Sequence, residues 1–194
     1  GDRQTAKERF EEALNGFRDQ GAGSEAADQL NRLGDLARLD QDLDDAIVLY
    51  DESLALFRKS EDSLGVASCL HKLGQICLKQ EGYDRARSLF KQSLNSQKKV
   101  GNKQGIAECL AAYAGLACAT GQCELAAELI GTTDAFLKEL GAPLSPADKQ
   151  DLELVKAEMM VRLGDIRFQE LYQKGRLMSL DDGIATIQDL EKAH

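Results

Sequence analysis

Hydrophobic and small residues recur at helical spacing along most of the chain. Between residues 43 and 60, Ala46, Tyr50, Ser53 and Leu54 share one helix face, because residues three and four apart are neighbours on a helical surface. The order small, aromatic, small, leucine then returns with a period of 40 residues. Further copies, the last of them incomplete, occupy these positions: Ala6, Phe10, Ala13 and Leu14; Ala86, Phe90, Ser93 and Leu94; Ala126, Ile130 and Thr133. A single period shared by several copies predicts a repeat protein.

A second type of helix alternates with the first. Glycine lies in its middle at Gly34 and Gly74, although glycine destabilises a helix interior by about 1 kcal/mol relative to alanine. We therefore expect close helix packing there, with Tyr50 and Phe90 filling the space between helices. The pattern predicts an all-α, right-handed α-solenoid of antiparallel helix pairs. The expected A-type helices span about 24–40, 63–80 and 103–120, the B-type helices span about 43–60, 83–100 and 123–140, and an additional helix precedes them at 4–20.

The repeated positions resemble those of the tetratricopeptide repeat over roughly residues 1–140. The matching residues are Leu33, Gly34, Ala46, Tyr50 and Ser53 in one copy, and Leu73, Gly74, Ala86, Phe90 and Ser93 in the next. The period of 40 residues is longer than the usual 34, which implies longer helices. The resemblance implies a tetratricopeptide-like solenoid of about three and a half repeats that binds other proteins and has no enzymatic activity.

Residues 141–194 lack the repeat, and we expect them to form capping helices of the same domain. Ser145 as N-cap, Pro146 at the first helical position and Asp148 two residues later predict a helix over about 146–163. A short helix ending at Gly175 and a last helix over about 180–192 follow. Solenoids need such a cap because their terminal repeat would otherwise expose its apolar face.

Three segments of this tail are similar to the ending of certain bacterial multidomain regulators: 140–148, 163–168 and 175–184. Those proteins are signal-transduction ATPases and LuxR-type transcriptional regulators with a tetratricopeptide-like C-terminal region. Tyr172 stands where that ending more often has tryptophan. The resemblance implies that this chain is the sensor or scaffold arm of a larger protein.

Composition excludes several classes of protein. A net charge of −9 argues against direct binding of nucleic acid, which depends on clustered lysine and arginine. The chain has no apolar run of the roughly 20 residues that span a bilayer. Its five cysteines show no CxxC spacing, so we expect buried free thiols in a reducing compartment. These features favour a cytoplasmic protein that does not contact a membrane.

No constellation of residues predicts catalysis. The chain has no Gly-rich phosphate loop of the GxxxxGK[ST] type. His71 is the only histidine before the C-terminal residue, which leaves too few imidazoles for a usual zinc site or a histidine-based triad. The acidic pairs Asp44-Asp45 and Asp181-Asp182 lie at expected helix starts, where the helix dipole explains them. We expect no enzyme, no cofactor and no metal.

The candidate site is the concave face, which the A-type helices line. Removing the packing positions leaves a polar row that turns small and apolar in the third copy. This row is either a solvated face or a groove for a protein, a peptide or a small effector. His71 lies near its middle and is expected to form hydrogen bonds or to titrate near neutral pH. The candidate residues are Asn31, Asp35, Arg38, His71, Gln75, Lys79, Glu108 and Ala111.

The sequence therefore predicts a non-enzymatic interaction or sensor module, the C-terminal arm of a bacterial signalling ATPase or transcription regulator. Its partner would be a protein or peptide in the groove, or the parent chain's own ATPase domain. Two alternatives stay open: a free-standing scaffold that bridges partner proteins, and a sensor of small effectors. The sequence also leaves a homo-oligomer open.

Overall fold

A computed structural model describes residues 3–192 of the chain, and the side chains of residues 3–188. This part of the chain contains ten helices and no strand. The helices predicted from the periodicity are confirmed closely, because amphipathic spacing is a strong local signal. The helices are α1 (Arg3–Asp19), α2 (Gly23–Leu39), α3 (Leu43–Lys59), α4 (Ser63–Lys79), α5 (Tyr83–Val100), α6 (Lys103–Ala119), α7 (Cys123–Leu140), α8 (Pro146–Leu163), α9 (Asp165–Arg176) and α10 (Leu180–Lys192).

Each helix from α1 to α7 ends in a turn of the same form. The backbone N–H of Asp42 donates to the Ala37 carbonyl at 2.9 Å, and that of Asp62 donates to the Phe57 carbonyl at 2.9 Å. Such bonds satisfy carbonyls that a helix end would otherwise leave unpaired. The turn requires a positive φ at one residue, which favours glycine. The residues that adopt it are Gly21, Gln41, Glu61, Glu81, Gly101, Gly121 and Gly141.

Successive helices from α1 to α7 pack against one another, and the A-type helices α2, α4 and α6 also contact each other side by side. The mid-helix glycines allow this packing. A Cβ atom added at Gly34 would lie 2.4 Å from the Tyr50 ring, and one added at Gly74 would lie 2.5 Å from the Phe90 ring. The expected role of these glycines is therefore confirmed, together with the all-α solenoid.

A buried hydroxyl joins the two helices of each of the first two repeats. Ser53 Oγ donates to the Ala27 carbonyl at 2.8 Å, and Ser93 Oγ donates to the Ala67 carbonyl at 2.8 Å. Thr133, the equivalent residue in the third copy, donates instead to the Leu129 carbonyl of its own helix. The repeat is thus regular in structure through α5 and changes at α7.

The regular stack ends where α9 packs on α7. A Cβ atom added at Gly131 would lie 2.1 Å from the Tyr172 carbonyl oxygen, and one added at Gly175 would lie 1.9 Å from the Glu128 carbonyl oxygen. These two backbones touch because neither glycine has a side chain. α10 covers α6 and α7, while α8 contacts α2, α6, α7 and α9. The division of the chain at residue 140 stays a prediction.

Candidate functional site: the concave face and helix α8

Helix α8 lies along the concave face and crosses the A-type helices in turn. Near its start, Asp148 pairs with Arg38 of α2. One turn later, the Asp151 carboxylate lies 2.8 Å from the Lys79 ammonium of α4. Residues three apart share a helix face, so both carboxylates point toward the solenoid. The groove that the sequence outlined is therefore occupied by a segment of the same chain.

The start of α8 is set locally. The backbone N–H of Asp148 donates to Ser145 Oγ at 3.1 Å, and Ser145 Oγ donates to Asp148 Oδ2 at 2.8 Å. Pro146 occupies the first turn. The predicted cap is therefore confirmed, and Asp148 Oδ1 stays free to face α2.

The far half of α8 binds α6 and α7. Lys156 Nζ lies 2.8 Å from Asp134 Oδ2, and Arg162 Nη1 donates to the Cys118 carbonyl at 3.1 Å. Leu152 and Met159 are buried in the main hydrophobic cluster with α6 and α7 side chains. α8 therefore contacts α6 and α7 through apolar side chains and polar pairs together, whereas its contacts with α2 and α4 include the ion pairs of Asp148 and Asp151.

Arg38, His71 and Asp148 form a buried charge cluster. Arg38 Nη2 donates to Asp148 Oδ1 at 2.5 Å, and His71 Nε2 lies 3.6 Å from the same oxygen. Their side chains are 1%, 4% and 5% exposed, respectively. Because burial removes solvent screening, these charges interact more strongly than an exposed pair would.

The cluster shifts the protonation of its members. Burial would raise the pKa of Asp148, but the Arg38 guanidinium and His71 hold that pKa well below its usual range. Burial would lower the pKa of His71, but the Asp148 carboxylate outweighs it and raises the pKa to about 10. The expectation that His71 titrates near neutral pH is therefore wrong, because a buried carboxylate stabilises its imidazolium form.

A second polar group lies beside the first. Tyr50 Oη donates to Asp35 Oδ1 at 2.7 Å, and Lys72 Nζ lies 2.5 Å from the same oxygen. Burial raises the pKa of Glu108 on α6. The charge of His71 lowers that pKa, and the charge of Asp148 raises it. The pair of Lys72 and Asp35 therefore joins α4 to α2.

The charge cluster is not fully satisfied. Arg38 Nε and Nη1 and both ring nitrogens of His71 are buried and have no hydrogen-bond partner. Buried donors usually find acceptors, and an unpaired buried donor costs about 1–3 kcal/mol. Asp148 therefore accepts a hydrogen bond from Arg38 Nη2 but leaves these other buried donors without an acceptor.

A cavity of about 190 Å³ lies between α8 and the A-type helices α4 and α6. The small residues Ala111 and Gly115 form part of its wall, opposite Leu152 and Val155 of α8. Lys79 also lines the cavity. Its wall is mainly apolar because the third A-type helix has small side chains where the first two have polar ones.

Three of the eight predicted site residues, Gln75, Lys79 and Ala111, line this cavity. Five of the eight are buried, namely Asn31, Arg38, His71, Gln75 and Ala111. Asp35, Lys79 and Glu108 are half-buried. Whether these residues bind a partner stays a prediction.

Sequence reasoning missed several contributors, namely Tyr50, Lys72, Asp148 and Asp151. Asp148 was recognised only as a helix-start residue, and its partner Arg38 lies 110 residues away. The available signal was a pair of acidic residues, Asp148 and Asp151, spaced one turn apart on the predicted tail helix. Arg38 and Lys79 on the A-type helices were cations for which the sequence indicated no acidic partner.

The described residues contain no group of three or more His, Cys, Asp or Glu side chains that could hold a metal ion. All five cysteines are free, and each is at least partly buried. In the part of the chain described, no helix combines the length and apolar character needed to cross a membrane.

Comparison with known families fits this architecture. Residues 25–99 match the Tetratricopeptide repeat family. The match spans α2 to α5, where the glycine and hydroxyl contacts repeat, and it supports a tetratricopeptide repeat protein. Tetratricopeptide repeats are in general protein-interaction modules without catalytic activity. No significant match was found among curated proteins.

Proposed function

We propose that this chain is a protein-interaction and sensor module, the C-terminal arm of a larger bacterial signalling ATPase or transcription regulator in the cytoplasm. One observation carries the proposal: the concave face holds a helix, α8, through ion pairs of Arg38 and Lys79. A face that binds one helix along three A-type helices has the shape and chemistry to bind another. The similarity of segments 140–148, 163–168 and 175–184 to the ending of such regulators supports the same assignment.

Regulation would follow from differential affinity. If the arm binds a partner, or its parent ATPase domain, more tightly in one state of the parent than in another, binding shifts the balance between those states. The arm itself needs no catalytic residue for this role.

The decisive experiment begins with the complete reading frame that encodes residues 1–194. We expect it to contain a nucleotide-binding domain, and we expect the separately produced arm to bind that domain in isothermal titration calorimetry. The arm should also change the domain's rate of ATP hydrolysis. A reading frame without such a domain would favour the free-standing scaffold.

The cavity of about 190 Å³ beside α8 favours one second candidate, a sensor of small effectors. Its volume is below the roughly 300–1,000 Å³ of usual ligand pockets, so only a small, mainly apolar molecule would fit. Such a ligand at 100 times its Kd would stabilise the fold by about 2.7 kcal/mol. A thermal-shift screen tests this, with Ala111→Leu as the variant that fills the cavity.

A further inference from the structure

The cavity that α8 forms with α4 and α6 has a mainly apolar wall. Its volume is about 190 Å³, and its apolar side chains include Leu78 of α4, Ala111 of α6, and Leu152 and Val155 of α8. A dry protein cavity of about 150 Å³ lined by aliphatic and aromatic side chains binds benzene. The cavity beside α8 therefore has room for one six-membered ring with a short arm while α8 stays in place.

Two polar groups in the same wall lack a hydrogen-bond partner. Asp151 Oδ1 lies 2.8 Å from Lys79 Nζ, whereas Asp151 Oδ2 is buried and has no partner. Gln75 is 5% exposed and lines the cavity, and its side-chain amide forms no hydrogen bond with the described residues. Buried polar groups in proteins nearly always have a partner. A molecule in this cavity that carries hydrogen-bond donors would satisfy both Asp151 Oδ2 and the Gln75 carbonyl.

The charges of the wall favour a positively charged molecule. Among the described residues, three carboxylates and one ammonium line the cavity, namely those of Asp148, Asp151, Glu158 and Lys79. The guanidinium groups of Arg38 and Arg162, which pair with Asp148 and Glu158, are not part of the wall. Because charges interact strongly where water is excluded, a cationic group gains more here than a neutral or anionic one.

We propose that this cavity binds a small primary amine with an apolar body, whose ammonium group donates hydrogen bonds to Asp151 Oδ2 and to the Gln75 side-chain carbonyl. A protonated primary amine has three donors, which is enough for both acceptors. The apolar body then lies against Leu78, Ala111 and Leu152. This inference rests on the second function proposed above, a sensor of small effectors, and names the chemistry of the effector.

A bound amine would connect α8 to the stack. Asp151 belongs to α8 and Gln75 belongs to α4, while the wall beside them includes Ala111 of α6. A ligand that contacts three helices of the folded protein and none in the unfolded chain stabilises the fold in proportion to its occupancy. Hydrogen exchange of the α8 amides should therefore slow when the amine binds.

The test uses three probes with the same ring and different head groups: benzylamine, benzyl alcohol and benzoate. Isothermal titration calorimetry at pH 7, where benzylamine is protonated, compares their affinities for the unaltered chain. Benzylamine should bind about tenfold more tightly than benzyl alcohol, because its hydrogen bonds to a carboxylate are charge-assisted, and benzoate should bind most weakly. Nuclear Overhauser effects from the benzylamine ring to the methyl groups of Leu78, Leu152 and Val155 locate the site.

Variants assign the head group to its acceptor. Asp151→Asn keeps the shape of the side chain and removes its charge, so the affinity for benzylamine should fall about tenfold while that for benzyl alcohol changes little. Glu153→Gln is the matched control on the same helix. Its carboxylate pairs with Lys156 and does not line the cavity, so benzylamine should bind this variant as it binds the unaltered chain. Ala111→Leu fills the cavity and should abolish binding of both probes.

Four results would overturn the proposal. Benzylamine shows no saturable binding; benzyl alcohol or benzoate binds as tightly as benzylamine; Glu153→Gln lowers the affinity as much as Asp151→Asn does; or the Overhauser effects come from methyl groups outside the cavity. If Asp151→Asn or Ala111→Leu does not fold, the three probes and the Overhauser effects decide, because both measurements use the unaltered chain.

Failure here is distinguishable from failure of the sensor function. If another compound stabilises the arm in the thermal-shift screen and Ala111→Leu abolishes that effect, the cavity stays a sensor site and only the amine is excluded. If no compound stabilises the arm and the arm still binds the parent ATPase domain, the sensor function fails and the interaction function remains.

Discussion

The regular stack and the α8 region are held together by different physical means. Between α2 and α5, small residues and aromatic rings interlock, as at Gly34 and Tyr50, and the buried hydroxyls of Ser53 and Ser93 bond across each repeat. Against α2 and α4, α8 is held by ion pairs that include Arg38 and Asp148. Farther along α8, Leu152 and Met159 pack into the main hydrophobic cluster with α6 and α7. Steric fit therefore fixes the stack, whereas the first turns of α8 are fixed by charge.

The most severe change in this comparison is the removal of one partner of the buried ion pair. Arg38→Met leaves the Asp148 carboxylate buried without its cation, and we expect a loss of about 4 kcal/mol in the free energy of unfolding. Urea denaturation measures it. The exposed pair between Arg18 and Glu52 provides the control, because Arg18→Met should cost less than about 1 kcal/mol. Equal losses in both variants would show that burial does not govern these pairs.

The α7–α9 junction tests the opposite mechanism, steric fit. In Gly175→Ala the new methyl group would meet the Glu128 carbonyl oxygen at 1.9 Å, and we expect a loss of about 3 kcal/mol because backbone cannot move aside as a side chain can. Thermal unfolding followed by circular dichroism measures it. Gly16→Ala is the matched control, since nothing lies within 4 Å of its added Cβ. A Gly175→Ala protein as stable as Gly16→Ala would contradict the close contact.

The pH dependence of stability distinguishes the two regions again. The pKa of His71 is raised from 6.5 to about 10 in the folded protein. Its stabilising contribution is therefore complete below pH 6.5 and disappears as the pH rises toward 10. We expect His71→Gln to cost about 2 kcal/mol at pH 6, because it removes one of the two cations beside the buried Asp148 carboxylate, and progressively less at pH 8 and 9. Chemical denaturation at each pH measures the difference between the two proteins.

Charged or titratable groups lie near His71 on four helices, namely α2, α4, α6 and α8. Asp148 has a lowered pKa and titrates below this range, and Arg38 stays charged throughout. A constant difference between His71→Gln and the unaltered chain from pH 6 to 9 would mean that the imidazole is neutral in the fold. The neighbouring groups are Arg38 on α2, Lys72 on α4, Glu108 and Cys109 on α6, and Asp148 on α8.

The smallest effects are expected at the buried hydroxyls of the stack. Ser53→Ala and Ser93→Ala should each cost about 1 kcal/mol, because each removes the hydrogen bond between the helices of a repeat and the weak bond that the hydroxyl accepts from a cysteine thiol of the next helix. Thr133→Val should cost less, since the Thr133 hydroxyl bonds only within its own helix. Equilibrium denaturation of the three variants gives the comparison. A larger loss at Thr133 than at Ser53 would contradict the observed change of pattern at α7.

The sequence by itself determined the helices and the stack. Amphipathic spacing, the Gly34 and Gly74 positions and the Ser145 cap are local signals, and each acts within a few residues of its own position or on the next helix. The sequence did not reveal that Gln41 and Glu61 adopt the left-handed backbone conformation. Neither side chain favours that conformation, and the helices on both sides impose it.

Only the tertiary structure decided that α8 fills the concave face. Asp148 satisfies the requirements of a helix start whether or not Arg38 is near, so the sequence pattern is the same in both cases. The ion pair joins residues 110 positions apart, and charged residues look solvent-exposed in a pattern until the chain folds over them. Periodicity records which face of a helix is buried by its neighbours in the repeat, but it carries no information about a later segment that returns to cover the polar face.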